Sequence, residues 1–576
     1  MIFYDFKVFK YDWIVVFINP FEKEQTVIVN NSGLLEDFYE MNKNDIFVGY
    51  NSRKYSSVIF KSILLSFNPK TISDYIIEKG LSEYQIDRRL KNIKLYNYDV
   101  MEKMEGLKTL EGFMGNDIQE TEIPFNIDRK LTAEELAKTI DYCINDVEQI
   151  MEIFLKRKEN FDTQMQIIKT FRLPMDNIGL TQAQLTANVL ECRKPFEERF
   201  DMFDFQILPC IKIEKYKNVL EWFLDDSNKI YNASLKTDIC GIPHIFGWGG
   251  LHGCISEPVH IKGFLIHIDV TSYYPSLMIE YDFLTRNCKK KSLYSDIYKK
   301  RVELKKQGKQ KEQAPYKIIL NSTFGICKAD QFSKAYDPLQ ANNVCVNGQL
   351  MLLDLLEKLE PYCRLIQSNT DGIIIQIDEK DYNLIDDICF EWEQRTKMKL
   401  EFKNATEIWQ GDVNNYILKF EDGNFERKGG YVKELNELDY DLPIINDAIV
   451  NFLTEGIEVE KTIYNCNELI KFQKIVKISS KYKYAYHNGK RLTEKTFRIF
   501  ASKDTKDSFI GKQKEIGATV EKFANTPQHC FIDNSEVKNK TVPMKLNKEW
   551  YIDLVKKRLA EKFGVIEKEK QLSFNL

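Results

Sequence analysis

The sequence predicts a multidomain protein of mixed α/β and α+β class. Three observations carry this. A chain of 576 residues holds several cores at about 150 residues per domain. Its opening stretch sets apolar strands (IFYDFKVF, WIVVFIN and Ile46–Tyr50) ahead of a helix-patterned segment, the order of an α/β domain. Its middle places a polar knot between two apolar runs, QSNTDGIIIQID at 367–378, which reads as a β-hairpin.

Taken in order, Leu131-Thr132-Ala133-Glu134-Glu135 marks a helix start, and the helix continues through YCINDVEQIMEIF. The glycine cluster FGWGGLHG (246–253), with Gly249 and Gly250 at its centre, precedes the strand GFLIHIDV. Asp269 emerges at that strand's end, just before an expected Tyr-Pro turn. A lysine-rich helical pair follows, DIYKKRVELKK and APYKIILNSTFG; on the second, Lys317, Asn321 and Phe324 share a face at i, i+4 and i+7. In the hairpin, Gly372 is expected to supply the backbone angles of the turn, displaying Asp371 at its tip. The stretch DVNNYILKFEDGNFERKGGY (412–431) reads as a polar hairpin. The remainder alternates short helices and strands with many lysines.

Composition excludes several classes. Hydrophobic content of 43% and charged content of 29% fit a globular chain rather than a disordered one. No run approaches the ~20 apolar residues of a membrane helix, and MIFYDFKVFKYDW lacks the regions of a signal peptide. Twelve cysteines without a C-x-x-C pair argue against a disulfide framework or a structural zinc, and imply buried thiols in a reducing compartment. The net charge of −4 does not advertise nucleic acid. Its distribution does: between Arg286 and Lys317 only Asp296, Glu303 and Glu312 oppose the basic residues. KISSKYKYAYHNGKRL (477–492), with Lys481 and Lys483, and VKKRLAEKF (555–563) add lysines, the first with interleaved tyrosines. Such surfaces suit phosphate neutralisation.

A lone Asp in a turn is ordinarily a turn residue. Two Asp at the ends of neighbouring strands, Asp269 and Asp371, could instead share a pair of Mg²⁺ ions completed by substrate phosphates, the arrangement of phosphoryl transfer. Lys317 can neutralise triphosphate charge, and Phe324 can pack against a base.

Together and in this order, D-x-x-S-x-Y-P-S, K-x-x-x-N-S-x-F-G and N-T-D-G resemble motifs A, B and C of family B DNA polymerases, particularly the small phage-type enzymes. FGWGGLHG resembles the glycine motif between their exonuclease and palm domains. The resemblance covers almost the whole chain. It implies a ribonuclease H-like exonuclease domain (1–165) followed by a palm/fingers/thumb right hand: linker and first part of the palm (166–285), fingers (286–330), second part of the palm (331–435), and thumb with a C-terminal DNA-binding region (436–576). By the same resemblance Asp269 and Asp371 are metal ligands, the Val270 carbonyl is a third, and the cofactor is two Mg²⁺ ions, with Mn²⁺ able to substitute. Ser272 and Tyr273 lend backbone N–H groups to the phosphates, and Tyr274 lies under the sugar, selecting deoxynucleotides. Lys317 and Arg301 grip the triphosphate; Asn321 and Phe324 shape the base-pair pocket. Gly249, Gly250, Asn414, Tyr416, Lys428, Lys481 and Lys483 face DNA.

The chain departs from the family pattern in several places. Asn369 stands where motif C usually has Asp, Phe324 replaces a tyrosine, and Asn414 replaces a lysine. Only 48 positions separate Asp269 from Lys317, leaving no room for the large insertion of protein-primed relatives, so terminal-protein priming and built-in strand displacement are not expected. The exonuclease pattern D-x-E, N-x-x-x-Y/F-D, Y-x-x-x-D becomes Asp5-Phe6-Lys7, Asn51-Ser52-Arg53-Lys54-Tyr55-Ser56 and Tyr142-Cys143-Ile144-Asn145-Asp146. Asp5, Tyr142 and Asp146 remain; Lys7 and Ser56 replace two acids, and no 3′–5′ exonuclease activity is expected. The implied partners are primer–template DNA and dNTPs, with replication accessory proteins as candidates. A monomer is expected, without membrane contact, in the cytoplasm of a bacterial or phage-infected cell. Two readings compete: a non-catalytic DNA-binding scaffold, if Asn369 breaks the metal site, and a same-fold polymerase copying RNA.

Overall fold

A computed structural model describes residues 1–197, 199–328 and 333–565. The protein is a mixed α/β assembly of two compact units. One comprises Met1–Leu180, Leu435–Ile445 and Glu460–Ile552; the other comprises Thr181–Glu434, Asn446–Val459 and the chain from Asp553 onward. The last segment of the sequence division, 436–576, is thus shared between the units. Its residues 566–576, and the division at 330/331, lie outside the described residues. Among the described residues, no helix is long and apolar enough to cross a membrane.

The first unit is built on β1 (Ile2–Val8), β2 (Trp13–Asn19), β3 (Glu24–Val29), β4 (Ile46–Gly49) and β5 (Tyr96–Asp99), in the order β3-β2-β1-β4-β5. β1, β2 and β3 form an antiparallel meander, whereas β4 and β5 run parallel to β1. β1 is buried on both faces, as a central strand is, with Asp5 alone partly exposed and Lys7 the other charged residue in it. Tyr4, Phe6, Phe17, Phe47 and Phe60 fill one face. The helix Ala133–Lys156 covers the other, bringing Phe154 edge-on to Phe3. It begins where the sequence places it: Glu135 N–H donates to the Thr132 hydroxyl (3.2 Å), and the Glu135 carboxylate accepts from Thr132 N–H (2.9 Å), a reciprocal cap.

Residues 460–552 join this unit through several bonds, Ile118 N–H to the Asn534 carbonyl (2.7 Å) and Val537 N–H to the Gly115 carbonyl (2.8 Å) among them, and through one buried cation. Arg498, on the strand Thr496–Ala501, donates to the carbonyls of Gly112 (3.1 Å), Asn116 (2.7 Å) and Ser535 (2.6 Å) and to Gln473 Oε1 (2.9 Å). Burial pulls its guanidinium down to about 10, still charged at neutral pH, with Asp533 and Asp117 opposing the shift. The guanidinium thus gathers acceptors from separate segments, among them the buried Gln473 side chain, which needs a donor there.

The second unit carries a nine-stranded sheet. Its strands are β6 (Ser234–Ile239), β7 (Ile242–Gly247), β8 (His252–Cys254), β9 (Val259–Val270), β10 (Arg364–Asn369), β11 (Gly372–Gln376), β12 (Leu400–Asp412), β13 (Asn415–Phe420) and β14 (Phe425–Lys428). Their order is β14-β13-β12-β9-β11-β10-β8-β7-β6, and every pairing is antiparallel. β9 and β11 are therefore neighbours although about a hundred residues apart in sequence. The helices Lys291–Lys306 and Gln310–Lys328 form a two-helix arm, and Pro338–Leu359 is an almost wholly buried helix.

Two local expectations need correction. Tyr274-Pro275 does not make a turn. It opens the helix Tyr273–Glu280, with Ser272 as its cap in the left-handed region (φ 48°) and Pro275 in the first turn, where its missing N–H costs nothing. Nor does Gly372 supply unusual backbone angles, since it has no positive φ. Its lack of a side chain matters for a different reason, given below.

The buried guanidinium yields a stability prediction. Arg498→Met should destabilise the first unit by about 3 kcal/mol or more, because it strands several buried carbonyls at once. Denaturant unfolding of the variant against the native protein measures this.

Candidate active site

The β9–β11 pairing assembles the centre of the site. In register, Asp269 lies opposite Gly372 on β11 and opposite Glu401 on β12. Val270 N–H donates to the Asp371 carbonyl (2.8 Å), tying the end of β9 to the hairpin turn. Asp269 and Asp371 thereby border one cleft, formed by two adjoining hollows of about 310 and 440 Å³. Gly372 is what permits the approach. A Cβ there would stand 2.2 Å from Asp269 Oδ1, so only glycine leaves room beside that carboxylate.

The arm supplies the cations. Arg301, Lys305 and Lys317 all line the cleft. Arg301 donates to Ser272 Oγ (2.7 Å), and Lys305 pairs with Glu401 (2.8 Å). Lys317 is exposed and has no ion-pair partner among the described residues. Burial comes first, and the neighbouring Asp269 carboxylate second, in raising the Asp371 carboxyl above its ordinary range. Neither Asp269 nor Asp371 pairs with a lysine or arginine among the described residues. Two adjacent carboxylates without a lysine or arginine partner among the described residues, and an open cradle beside one of them, suit divalent metal ions.

Of the other expected residues, Val270, Ser272, Tyr273, Tyr274 and Asn321 line the smaller hollow. Tyr273 is buried, and its hydroxyl donates to the Gly348 carbonyl (2.6 Å). The Tyr274 ring lies 4.4 Å from Phe324, so the two aromatic positions brace each other. Asn369 folds back on its own turn, its Oδ1 accepting from Thr370 N–H (2.8 Å). Gly250 abuts that turn: a Cβ on it would meet Thr370 Oγ1 at 3.0 Å, whereas Gly249 faces open space. Tyr416 and Lys428 border the larger hollow, but the Tyr416 ring is mostly core and its hydroxyl donates to Glu426 (2.7 Å). Asn414 sits exposed in the β12–β13 turn. Lys481 and Lys483 are exposed in the first unit, not among these residues.

Sequence reasoning missed His267 and Glu426. His267 is buried, with Nε2 3.1 Å from Asp269 Oδ1 and Nδ1 3.9 Å from Glu426. Strand periodicity could have found the histidine, since residues two apart share a face. No local signal marks Glu426, which arrives through the β12–β13–β14 pairing.

In the first unit the remnant acids form a different cluster. Lys7 pairs with both Asp5 (2.8 Å) and Asp146. Lys108, unforeseen from sequence, pairs with Asp146 (2.5 Å) and Glu111 (2.8 Å). Both ammonium groups lie against the Tyr142 ring, at 4.5 and 4.6 Å from its centroid. Ser56 donates to Asp5 (3.1 Å). Burial opposes charge on Lys7, yet Asp146 and Asp5 outweigh it and hold its ammonium well above the usual range. Burial likewise opposes charge on Asp146, and Lys7 and Lys108 outweigh it, keeping that carboxyl low. Glu111 goes the other way: burial raises it to about 7 despite Lys108. Here the protein's own cations neutralise the acids.

No protein-family model matches the chain, and no curated protein matches it. Among solved structures, it aligns with that of the family B DNA polymerase from the hyperthermophilic archaeon Pyrobaculum calidifontis. The identity is 12% and the TM-score 0.43, over 99% of this chain and 78% of that one. So loose a superposition carries no residue-level correspondence.

The crowding at Gly372 predicts a graded defect. Gly372→Ala should cost about 1–3 kcal/mol of stability through overpacking and displace the Asp269 carboxylate. Calorimetric titration with Mn²⁺ should show weakened binding relative to the native protein.

Proposed function

We propose that the protein is a DNA-templated DNA polymerase whose amino-terminal domain performs no 3′–5′ hydrolysis. The observation that carries this reading is the pairing of Asp269 with Asp371, unneutralised by lysine or arginine, beneath an arm that presents Arg301 and Lys317. Asp269, Asp371 and the Val270 carbonyl would hold two Mg²⁺ ions, or Mn²⁺ in their place. When bound, these ions supply Lewis-acid stabilisation of the attacking and leaving oxygens.

The chain's own residues bind and orient the substrates. The Lys317 ammonium neutralises the triphosphate, and Arg301 exchanges the Ser272 hydroxyl for a phosphate oxygen. The Ser272 and Tyr273 N–H groups, at the opening of a helix, favour the same anion. Tyr274, braced by Phe324, closes the floor beneath the sugar, where a 2′-hydroxyl would clash. The primer 3′-oxygen attacks the α-phosphorus, the bond to the bridging oxygen breaks, and pyrophosphate leaves. Positioning and electrostatics account for the catalysis. Lys428, which borders the larger hollow, and Asn414 in the β12–β13 turn would face the duplex, and Lys481 and Lys483 offer phosphate contacts on the first unit.

Mg²⁺-dependent primer extension on matched DNA and RNA templates is the direct test; no extension on either would favour a DNA-binding scaffold, and extension on RNA would broaden the template class. Asp269→Asn and Asp371→Asn should each abolish incorporation at unchanged Mg²⁺ while primer–template binding persists, since duplex affinity rests on lysines and arginines. Lys317→Ala should lower catalytic efficiency for dNTP about ten- to a hundredfold, the loss of one charge-assisted contact of ~1.5–3 kcal/mol, with duplex binding little changed.

For the amino-terminal domain, incubation with labelled single-stranded DNA and Mg²⁺ or Mn²⁺ should release no nucleotides. Lys7→Glu with Ser56→Asp should remain inert as well, because Lys108 still neutralises Asp146. Nucleotide release should return only when Lys108 is also replaced by an uncharged residue. Release by the double variant would show that Lys108 is not the remaining block.

A further inference from the structure

The second unit contains a pair of thiols that the polymerase reading does not use. Cys192 follows the helix Gln182–Val189, and Cys288 precedes the first arm helix; the two face each other in an isolated antiparallel bridge. Arg193 N–H donates to the Asn287 carbonyl (3.0 Å). That bond makes Cys192 and Cys288 the non-hydrogen-bonded kind of cross-strand pair, whose Cα atoms approach to about 4.5 Å. A disulfide accepts Cα separations of roughly 4.4–6.8 Å. Both side chains are buried, and both are reduced in this structure. We propose that Cys192 and Cys288 are a modification site, a dithiol that a small peroxide oxidises to an intramolecular disulfide at the root of the arm.

The surroundings suit the chemistry. The Cys288 thiol donates to the Leu190 carbonyl (3.1 Å). The adjacent Cys192 thiol, outweighing burial, lowers Cys288 below its ordinary range, with Lys290 N–H and Lys291 assisting, and is itself pushed up. Cys327, the nearest third thiol, is instead pushed up by burial. A thiolate is the nucleophile in such oxidations. Cys288 attacks one oxygen of hydrogen peroxide, the O–O bond breaks, and hydroxide leaves and takes up a proton. The resulting sulfenic acid is attacked by Cys192 sulfur, which gives up its proton as the S–O bond breaks and water departs. Two thiols lose two hydrogens and one peroxide becomes two waters.

The link would fall where the arm is already anchored. Arg286 pairs with Asp337 (2.6 Å) and Asp201 (2.6 Å), and Asn287 donates to the Tyr336 carbonyl (2.8 Å). A covalent tie to residue 192 would restrict rotation of the arm about this root.

The full-length protein, exposed to hydrogen peroxide, quenched, denatured, alkylated and digested with trypsin, tests this without reference to polymerase activity. The expected product joins peptides 173–193 and 287–289, two hydrogens lighter than their sum, and dithiothreitol releases it. Cys192→Ser and Cys288→Ser should each remove it, and Cys327→Ser should not. Oxidation should also raise the thermal unfolding midpoint of the native protein. Full alkylation of Cys192 and Cys288 after peroxide, a Cys288–Cys327 link, or irreversible sulfinic acid at Cys288 would each overturn the proposal.

Discussion

Two carboxylates held side by side, with no lysine or arginine paired to either among the described residues, are the constraint around which the second unit is arranged. Like charges in a partly desolvated cleft repel, and the Asp371 carboxyl is raised first by burial and then by the neighbouring Asp269 carboxylate. Left alone, Asp269 and Asp371 would part or take up a proton. The β9–β11 ladder prevents the first, because Asp269 is fixed opposite Gly372 and the Asp371 carbonyl is bonded to Val270 N–H. The absent side chain at position 372 keeps the shared space open. Everything else in the cleft follows from that tension: cations on the arm face it from one side, and His267 supports Asp269 from below.

The first unit resolves the same problem differently. Its acids, Asp5, Asp146 and Glu111, are close enough to repel, yet Lys7 and Lys108 lie among them and a tyrosine ring shields both ammonium groups. A buried charge cluster of this kind is stable only when every member has a partner. Glu111 is the weak point, with one buried carboxylate oxygen lacking a hydrogen bond and a carboxyl raised to about 7. One chain thus contains an acid pair with no lysine or arginine partner among the described residues and an acid cluster closed by its own cations. The difference lies in the position of two lysines rather than in the number of acids.

The fold and the cleft were legible in the sequence to different depths. Strands and helices showed through period and caps: the Thr132/Glu135 signature and the apolar β1 and β2 needed no tertiary information. The shared face of Lys317, Asn321 and Phe324 followed from helical spacing, and the hairpin from its polar knot. Partners arriving from distant segments were hidden. Lys108 and Glu426 carry no local mark, since each acquires its meaning from a strand or helix paired across the fold. Gly372 was read for the right position and the wrong reason. A turn glycine suggests backbone freedom, whereas here the controlling quantity is the space between two strands, which sequence alone does not reveal.

Asn369 shows how a departure from a charge pattern can preserve geometry. Its amide oxygen accepts from Thr370 N–H, a local bond that an aspartate would also make. The turn shape therefore does not depend on charge at this position. Charge would matter to the cleft, where a third carboxylate beside Asp269 and Asp371 would add repulsion that only bound cations could offset. With asparagine, the cleft carries less negative charge, and Asp269 and Asp371 face no third carboxylate at this position. The exposed Lys317 and the Arg301–Ser272 contact fit that balance, because neither arm cation pairs with Asp269 or Asp371 among the described residues.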